Sequence, residues 1–377
     1  MRKIVVASDS FKGSLSSAEV AESVEQGIHE VYPDCEVVKV IVADGGEGTA
    51  DAIVKELGGL TITVPVHDPL GRLINAQYGI VDDLAVIEMA TASGLTLLSQ
   101  EERNPLKTST YGTGEMIRDA INRGCTRFLI GIGGSATNDA GTGMLQALGF
   151  RFYDANGALV KTCCGAELEN ISYIDDEQVP DQLRLVQIEV ACDVDTPFCG
   201  EEGAAYVFAP QKGANEPIVK RLDCGMASFA RVVKAKYGKN VESVPGAGAA
   251  GGLGGALWAF LNARLKKGVD VVLDIIEFDA LLKGADMVIT GEGKIDYQTP
   301  KGKTAAGVLN RAKNQNIPVV AIGGRVEMCE SVASMGFMGV YPISSDDIPL
   351  NIAMQQSVAK ENVKNTIKRI LPELKNT

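Results

Sequence analysis

Short apolar runs alternate with amphipathic stretches near the N-terminus, and this alternation predicts strands and helices in turn. Lys3–Ala7 (KIVVA) is a β-branched run typical of a buried strand. Ser16–Val31 carries apolar residues at helical spacing and begins with two serines that can cap a helix. A second strand, Glu36–Val42, and a second helix, Thr49–Leu57, follow. Two strand–loop–helix units in succession predict a parallel, doubly wound sheet.

The same rhythm returns at the C-terminal end of the chain. The predicted elements there, in order, are the strand Met287–Thr290, the helix Thr304–Lys313, the strands Pro318–Ile322 and Gly339–Ile343, and the helix Ser357–Leu371.

The middle of the chain has a different pattern, in which short strands are separated by turns and indicate hairpins or a mixed sheet. Its predicted elements are the strands Thr61–Val66, Ala76–Val81, Ala85–Met89, Arg127–Gly131 and Gln187–Cys192, and the helices Gly114–Asn122 and Gly141–Leu148. Arg151–Pro180 is polar and irregular.

The two ends resemble each other and the middle does not, which favours an inserted domain. We therefore predict an α/β protein with two α/β domains. The first is a Rossmann- or flavodoxin-like, doubly wound parallel sheet built from residues 1–65 and 285–377, and the second is a mixed α/β domain of residues 66–284 inserted into it.

Composition narrows the function classes. The 377 residues carry a net charge of −12, which disfavours nucleic-acid binding, and the eight cysteines contain no C-x-x-C pair. Because this cysteine pattern is typical neither of a disulfide framework nor of a zinc site, we expect a protein of the reducing cytoplasm. The N-terminal apolar run is too short for a signal peptide. Val244–Leu261 lacks charge but is rich in glycine, so we interpret it as a loop entering a buried helix and not as a membrane span. Neither histidine, His29 or His67, lies near a glycine-rich acidic loop, so carboxylates or lysines are expected to do any acid–base work.

The stretch Gly131–Gly143 (GIGGSATNDAGTG) is the most informative in the chain. It follows a predicted strand and precedes a predicted helix. Glycines let a backbone approach a ligand closely, and free N–H groups at a helix start favour an anion. The candidate anion-binding residues here are Gly133, Gly134, Ser135, Asn138 and Asp139.

Carboxylates and glycines recur where other predicted strands end. Because ligands of open α/β sheets bind beyond the carboxyl ends of strands, this recurrence indicates a site for an anion and a divalent cation. The candidate residues are Asp9, Ser10 and Lys12, Asp44, Gly45 and Gly46, Asp193 and Asp195, Glu292 and Asp296, with Lys212 and Lys303 as further cations. Each acid alone is also compatible with a turn or a helix cap.

Two motif look-alikes are weaker. Gly246–Gly251 (GAGAAG) matches the dinucleotide-binding pattern, but Val241–Pro245 before it is too short and proline-ended for the required strand. Gly302-Lys303-Thr304 resembles the end of a Walker A loop, but Tyr297 stands where that loop needs a glycine.

Taken together, the motifs resemble the bacterial glycerate kinase family. The matching blocks, in order, are DSFKGSLS (Asp9–Ser16), ADGGEGT (Ala43–Thr49), IEMATASGL (Ile87–Leu95), GTGEMI (Gly112–Ile117), GIGGSATNDAGTGM (Gly131–Met144), ACDVDTPFCG (Ala191–Gly200), FAPQKGA (Phe208–Ala214), PGAGAAGGLG (Pro245–Gly254) and TGEGKIDYQT (Thr290–Thr299). The resemblance implies ATP-dependent phosphorylation of D-glycerate with Mg²⁺, in a cleft between two α/β domains, and it favours 2-phosphoglycerate as the product over 3-phosphoglycerate.

For this reaction we expect an aspartate as the general base. Asp193 is the first candidate, because it ends a predicted buried strand beside a second acid, and Asp44 is the second. Lys12 is a further catalytic candidate, and Asp193 and Asp296 are the candidate Mg²⁺ ligands. Two alternatives stay open: an NAD(P)-dependent hydroxy-acid dehydrogenase that uses Gly246–Gly251, and a metabolite-binding sensor without catalysis.

Overall fold

The structure is a computed structural model of the chain and describes residues 1–42, 48–345 and 347–374. Over these residues the strands, in chain order, are β1 (Lys3–Ser8), β2 (Glu36–Ile41), β3 (Leu60–His67), β4 (Leu73–Val81), β5 (Leu84–Glu88), β6 (Arg127–Gly131), β7 (Arg151–Tyr153), β8 (Tyr173–Asp175), β9 (Gln187–Ala191), β10 (Arg264–Lys266), β11 (Met287–Ile295), β12 (Val319–Val326) and β13 (Gly339–Pro342).

The helices of the same residues are α1 (Ser17–Val31), α2 (Thr49–Leu57), α3 (Ala90–Ser93), α4 (Tyr111–Asn122), α5 (Thr142–Ala147), α6 (Ala204–Phe208), α7 (Glu216–Tyr237), α8 (Ala249–Leu261), α9 (Gly268–Ile275), α10 (Phe278–Leu281), α11 (Thr304–Asn314), α12 (Glu330–Ala333), α13 (Leu350–Ala353) and α14 (Gln356–Leu374). None of these helices is both long and apolar enough to cross a membrane.

The chain divides into two compact units. Unit 1 comprises Met1–Asp44 and Val272–Thr377 and holds a five-stranded parallel sheet in the order β13-β12-β11-β1-β2. Numbered within the unit, this is the flavodoxin-like order 2-1-3-4-5, which reverses between β1 and β11. In such sheets ligands bind at the carboxyl ends of the strands on either side of the reversal.

Helices α1 and α14 pack against this sheet, because their apolar residues are buried in one core cluster with residues of its strands. In α1, Val20, Val24 and Ile28 are buried in the same core cluster as Ile4 of β1. The helix begins with a capping box, in which the Ser16 hydroxyl accepts from the N–H of Glu19 at 3.3 Å, and the Glu19 carboxylate accepts from the N–H of Ser16 at 3.0 Å.

Unit 2 comprises Gly45–Val271 and is built on a six-stranded mixed sheet in the order β10-β9-β6-β5-β4-β3. Strands β5, β6, β9 and β10 are parallel, and β3, β4 and β5 are antiparallel neighbours. The register pairs Glu88 with Gly131 and Gly131 with Ala191, so three loops leave the same edge of the sheet. Strands β7 and β8 form a separate two-stranded antiparallel sheet.

The predicted α/β class with a parallel and a mixed sheet is confirmed. The sequence-based domain boundaries, after residue 65 and before residue 285, differ from the division into units. The reason is that β3 pairs with β4 along its whole length, so it belongs to the sheet of unit 2 together with α2. Arg151–Pro180 also contains the two-stranded sheet of β7 and β8, which its irregular pattern does not predict.

Two predicted strand ends are wrong by several residues. β11 does not stop at Thr290 but runs to Ile295, and β12 does not stop at Ile322 but runs to Val326, because the two strands pair as far as the Ile295–Val326 register. Gly291, Glu292 and Gly293 therefore lie in a strand and not in a loop.

Candidate active site

In unit 1, acids and hydroxyls gather where the strand order reverses. Strand β1 pairs with β11 so that Ser8 lies opposite Gly291, and the residues that follow, Asp9 and Glu292, therefore lie at the same point along the two strands. The N–H of Asp9 donates to the carbonyl of Gly291 at 3.0 Å. We call Asp9, Glu292, Asp296, Thr299, Lys303 and Thr304 the switch-point cluster.

Glu292 is the most perturbed acid of this cluster. Its side chain is buried, and its two oxygens accept from the N–H of Ala305 at 3.0 Å and from the hydroxyl of Thr299 at 3.3 Å. Burial raises the pKa of Glu292 to about 7, and the charge of Asp9 raises it as well. The ammonium of Lys303, 3.7 Å from the carboxylate, opposes this rise.

Asp9 is fixed from two sides. One of its oxygens accepts from the N–H of Ser10 at 2.6 Å, and the other accepts from the hydroxyl of Thr304 at 3.1 Å. Thr304 is the first residue of α11, so Asp9 ties the end of β1 to the start of that helix. Lys12 is exposed, and its backbone passes close to Gly293.

Asp296 is also buried, yet it is held in the charged form. Burial works against the charge, but the N–H of Gln298, at 2.9 Å, and the ammonium of Lys294, at 3.1 Å, outweigh it. The pKa of Asp296 therefore lies below its usual range. Asp9, Glu292 and Asp296 thus place three carboxylates within one segment of the fold, with the pKa of Glu292 raised and that of Asp296 lowered.

In unit 2, the glycine-rich loop after β6 borders a cavity of about 570 Å³. Gly133 and Gly134 line it together with Tyr78, Glu88 and Thr91. Gly134 has a φ of +72°, which favours glycine at this turn. The backbone at Gly133 is open, because a Cβ there would meet no atom within 4 Å. The loop can thus present main-chain N–H groups to a ligand in the cavity.

The polar residues of the same loop face inward. Asp139 is fully buried, and one of its oxygens accepts from the N–H and the hydroxyl of Thr110 at 2.7 and 2.8 Å and from the N–H of Gly143 at 3.2 Å. The other oxygen accepts from the N–H of Gly141 at 3.2 Å. Burial raises the pKa of Asp139. In this structure Asp139 joins the starts of α4 and α5, and it does not face the cavity.

Lys212 lies beneath this loop and is buried as well. Its ammonium donates to the hydroxyl of Ser135 at 2.7 Å and to the carbonyl of Thr137 at 2.6 Å. Burial lowers the pKa of Lys212 to about 7, against the attraction of Asp139. Asn138 is buried beside the Met226 sulfur, with its side-chain oxygen unpaired. Lys212 and Asn138 therefore support the loop from behind.

Asp193 and Asp195, after β9, are exposed. An oxygen of Asp193 accepts from the N–H of Gly268 at 2.9 Å, at the start of α9. Asp193 thus lies after the end of a buried strand as expected, but its carboxylate also stabilises a helix start. Among the residues that the structure describes, no three His, Cys, Asp or Glu side chains are grouped to hold a metal ion. The candidates Asp44, Gly45 and Gly46 lie outside the described residues.

The two motif look-alikes have structural explanations. Before Gly246–Gly251 the chain forms a helical turn, Val241–Ser243, in place of the strand that a dinucleotide site needs. Gly251 packs against the Thr137 carbonyl, where a Cβ would come within 2.2 Å. Gly302 and Lys303 precede α11, and Lys303 contacts Glu292.

Two site residues were missed by sequence reasoning. Glu88 ends β5 and accepts from the N–H groups of Ala50 at 2.8 Å and Gly48 at 3.2 Å, at the start of α2. Thr304 binds Asp9. An acid at the end of a β-branched strand, as in AVIE before Met89, is the signal that could have identified Glu88.

Comparisons with known proteins agree on one family. The family model described as "Glycerate kinase family" matches residues 4–375. A glycerate kinase of Halalkalibacterium halodurans is 46% identical over 359 residues, which cover 94% of each chain, and a glycerate 2-kinase of Escherichia coli K12 is 47% identical over 324 residues, 85% of each. A crystal structure from Salmonella typhimurium LT2, of a protein assigned as glycerate kinase 2, has a TM-score of 0.90 and 44% identity, and the match covers 100% of this chain and 98% of that one.

Proposed function

Because the chain belongs to the glycerate kinase family, we propose that it transfers the γ-phosphoryl group of ATP to the 2-hydroxyl of D-glycerate, giving 2-phosphoglycerate and ADP. Membership of this family makes it an enzyme, a kinase that acts on glycerate. The choice of the 2-hydroxyl is supported by the name of the Escherichia coli relative, a glycerate 2-kinase.

The observation that carries the proposal is the switch-point cluster. Phosphoryl transfer needs cations and hydrogen-bond donors around the transferred group, and little covalent chemistry from the protein. The cluster offers the ammonium of Lys303 and the hydroxyl of Thr304 at the start of α11, where backbone N–H groups also favour a phosphate. Its carboxylates can balance a divalent cation that accompanies the phosphates.

The donor set fits Mg²⁺. This ion prefers carboxylate oxygens and takes only one or two of them when phosphate oxygens and waters fill its other positions. Asp9 and Glu292 repel each other electrostatically, which is part of why the pKa of Glu292 is raised, and a cation beside them would remove this repulsion. When bound, the ion would neutralise charge on the phosphates. Asp9 and Asp296 would hold it.

Asp193 is the proposed general base that takes the proton of the glycerate hydroxyl. Its test is Asp193→Asn, because asparagine keeps an oxygen for the N–H of Gly268 while losing the basic carboxylate. General-base catalysis contributes typically 10²–10⁴-fold, so we expect kcat to fall by at least about 100-fold. The matched control is Asp223→Asn, since Asp223 also accepts a glycine N–H, that of Gly200, at 2.7 Å. Near-normal turnover of Asp193→Asn would exclude Asp193 as the base.

The glycine-loop cavity is proposed to bind one of the two substrates through the backbone at Gly133 and Gly134. Gly133→Ala adds a methyl group that meets no protein atom, so its effect reports on the ligand. We expect the KM of the bound substrate to rise about tenfold or more with kcat little changed, and the substrate affected is the one that the loop holds. Unchanged KM values for ATP and for glycerate would remove the loop from the site.

Phosphorus NMR of the product tests activity and the position of transfer together. Incubation with ATP, Mg²⁺ and D-glycerate should give ADP and the resonance of 2-phosphoglycerate. The 3-phosphoglycerate resonance would overturn the position of transfer. Absence of ADP would overturn catalysis in favour of a binding protein.

A further inference from the structure

Among the further cavities of unit 2 is one of about 390 Å³ that the proposed reaction does not use. Its walls include His67, Lys107, Ser109, Tyr111 and Lys161, and we call it the His67 cavity. It shares no lining residue with the glycine-loop cavity. Its volume is within the range of small-molecule sites.

One wall of the His67 cavity is a rigid turn. Asp68 is buried and accepts from the N–H groups of Leu70 at 2.9 Å and Arg72 at 2.8 Å, and from the guanidinium of Arg72 at 2.5 Å. The carbonyl of Pro69, in the same turn, accepts from the N–H of Ser109 at 3.0 Å. These bonds preorganise the cavity, and the Arg72 guanidinium neutralises the one acid in its lining.

His67, in the lining of the cavity, is held in place by Glu115 and Tyr111. Its Nδ1 lies 3.0 and 3.1 Å from the two oxygens of Glu115, and its backbone N–H donates to the same carboxylate at 2.8 Å. The ring packs edge-on against Tyr111, with centroids 5.6 Å apart. The Glu115 contact fixes the ring orientation, and within the described residues Nε2 has no protein partner.

Two lysines and two hydroxyls of the lining have donor capacity that the described residues do not use. Across the part of the chain that the structure describes, neither Lys107 nor Lys161 forms an ion pair, although both are exposed and the chain is strongly acidic. The Tyr111 hydroxyl likewise has no partner there, and the Ser109 oxygen accepts from the N–H of Tyr111 at 3.3 Å, which leaves its proton to donate. The cavity therefore concentrates two uncompensated positive charges and several hydrogen-bond donors.

We propose that the His67 cavity binds a small phosphate monoester, as a site separate from the one that performs phosphoryl transfer. Two ammonium groups match the charge of a phosphate dianion, and lysine is a common phosphate ligand. The net charge of −12 repels anions at long range, so binding depends on local cations such as these. The site would let a phosphorylated metabolite bind while the substrates are present.

Isothermal titration with glycerol 3-phosphate tests the proposal, because this phosphate monoester is neither substrate nor product of the proposed reaction. At low ionic strength we expect saturable binding to the full-length protein, weakened at least tenfold in the double variant Lys107→Gln/Lys161→Gln. The charge-matched control Lys234→Gln/Lys283→Gln should bind within twofold of the unaltered protein. Absence of saturable binding, or equal weakening in the control, would overturn the proposal. Malonate binding as tightly as glycerol 3-phosphate would overturn the assignment to a phosphate.

Steady-state kinetics separate this site from the substrate site. We expect Lys107→Gln/Lys161→Gln to keep kcat and both KM values within twofold. A tenfold rise in the KM for glycerate or for ATP would show that the cavity belongs to the substrate site and would refute a separate one. Since the titration needs no turnover, the proposal stands or falls independently of the proposed reaction.

Discussion

Replacement of Asp139 should destabilise unit 2 more than replacement of any exposed acid. Its carboxylate is fully buried and accepts from three backbone N–H groups, those of Thr110, Gly141 and Gly143, and from the Thr110 hydroxyl. These bonds join the loop before α4 to the loop before α5. Asp139→Ala would remove all four acceptor contacts at a place that water does not reach.

The magnitude follows from the number of unpaired donors. Each buried N–H left without a partner costs about 1–3 kcal/mol. The variant no longer buries a carboxylate, and this offsets part of the cost, because burial disfavours the charged form and is what raises the pKa of Asp139. We expect Asp139→Ala to lower the free energy of unfolding by about 4 kcal/mol. Asp139→Asn should lower it by about 2 kcal/mol, because the amide keeps one acceptor oxygen and turns an NH₂ toward at least one donor.

Urea unfolding followed by tryptophan fluorescence is the assay. Trp258 is the chain's one tryptophan and lies on α8, so its signal reports on unit 2. Asp154→Ala is the control, because Asp154 also accepts two backbone N–H groups, those of Asn156 and Ala158 at 2.8 Å, but in an exposed turn where water can replace it. It should cost less than about 1 kcal/mol.

The reasoning would be refuted by either of two results. Asp139→Ala could lose less than about 1 kcal/mol, which would mean that the four contacts contribute little. Alternatively, asparagine could prove no better than alanine, which would mean that a retained acceptor oxygen has no value at this position.

Three further predictions concern a buried cation, a close approach and a helix cap. Burial lowers the pKa of Lys212 from 10.5 to about 7, so between these values the unfolded chain holds a proton that the native protein has lost, and the free energy of unfolding rises with pH. Relative to Lys212→Met, the unaltered protein should gain about 2 kcal/mol between pH 7 and pH 9 in unfolding monitored by Trp258 fluorescence. A difference between the two proteins that does not change with pH would contradict this. Gly112→Ala should lower the free energy of unfolding by at least about 3 kcal/mol in the same assay, because the new Cβ would lie 1.9 Å from the His67 carbonyl oxygen. An unaltered urea midpoint would show that the two backbone segments can separate. Ser16→Ala should lower the stability of α1 by about 1 kcal/mol, because it removes the acceptor for the N–H of Glu19. Amide hydrogen exchange in the first turn of α1 should become faster, and unchanged exchange would argue against the cap.

Much of the fold was predictable from local pattern. The bounds of β6 (Arg127–Gly131) and α2 (Thr49–Leu57) match the predicted ones, because β-branched runs and amphipathic spacing act over a few residues. The extension of β11 to Ile295 was not predictable, since it depends on pairing with β12, whose residues are about thirty positions later. The place of β3 depends in the same way on its partner β4, which decides the unit to which it belongs.

The residue types of the candidate site were predictable from the sequence, but the directions in which their side chains point were not. The sequence shows that Asp139 and Lys212 are polar and near glycines, which is as compatible with contact to a ligand as with a buried structural role. Only the tertiary structure shows that both are buried and that Lys212 reaches Ser135 from behind the loop. Glu292 illustrates the converse, because its glycine neighbours indicated a loop while the side chain lies at the end of a buried strand segment.

Four acids at or after the predicted strand ends share one structural role, which bears on the site. Glu88, Asp139, Asp193 and Glu292 each accept an N–H at the start of a helix, namely those of Ala50 in α2, Gly143 in α5, Gly268 in α9 and Ala305 in α11. The positive end of a helix dipole stabilises a carboxylate, whether it belongs to the protein or to a ligand. A carboxylate variant therefore changes helix stability and any ligand contact together. Gly133 lines a cavity and a Cβ added there would meet no protein atom within 4 Å, so Gly133→Ala changes only the space that a ligand would occupy. For this reason the glycine variant, and not a carboxylate variant, separates binding from folding in this loop.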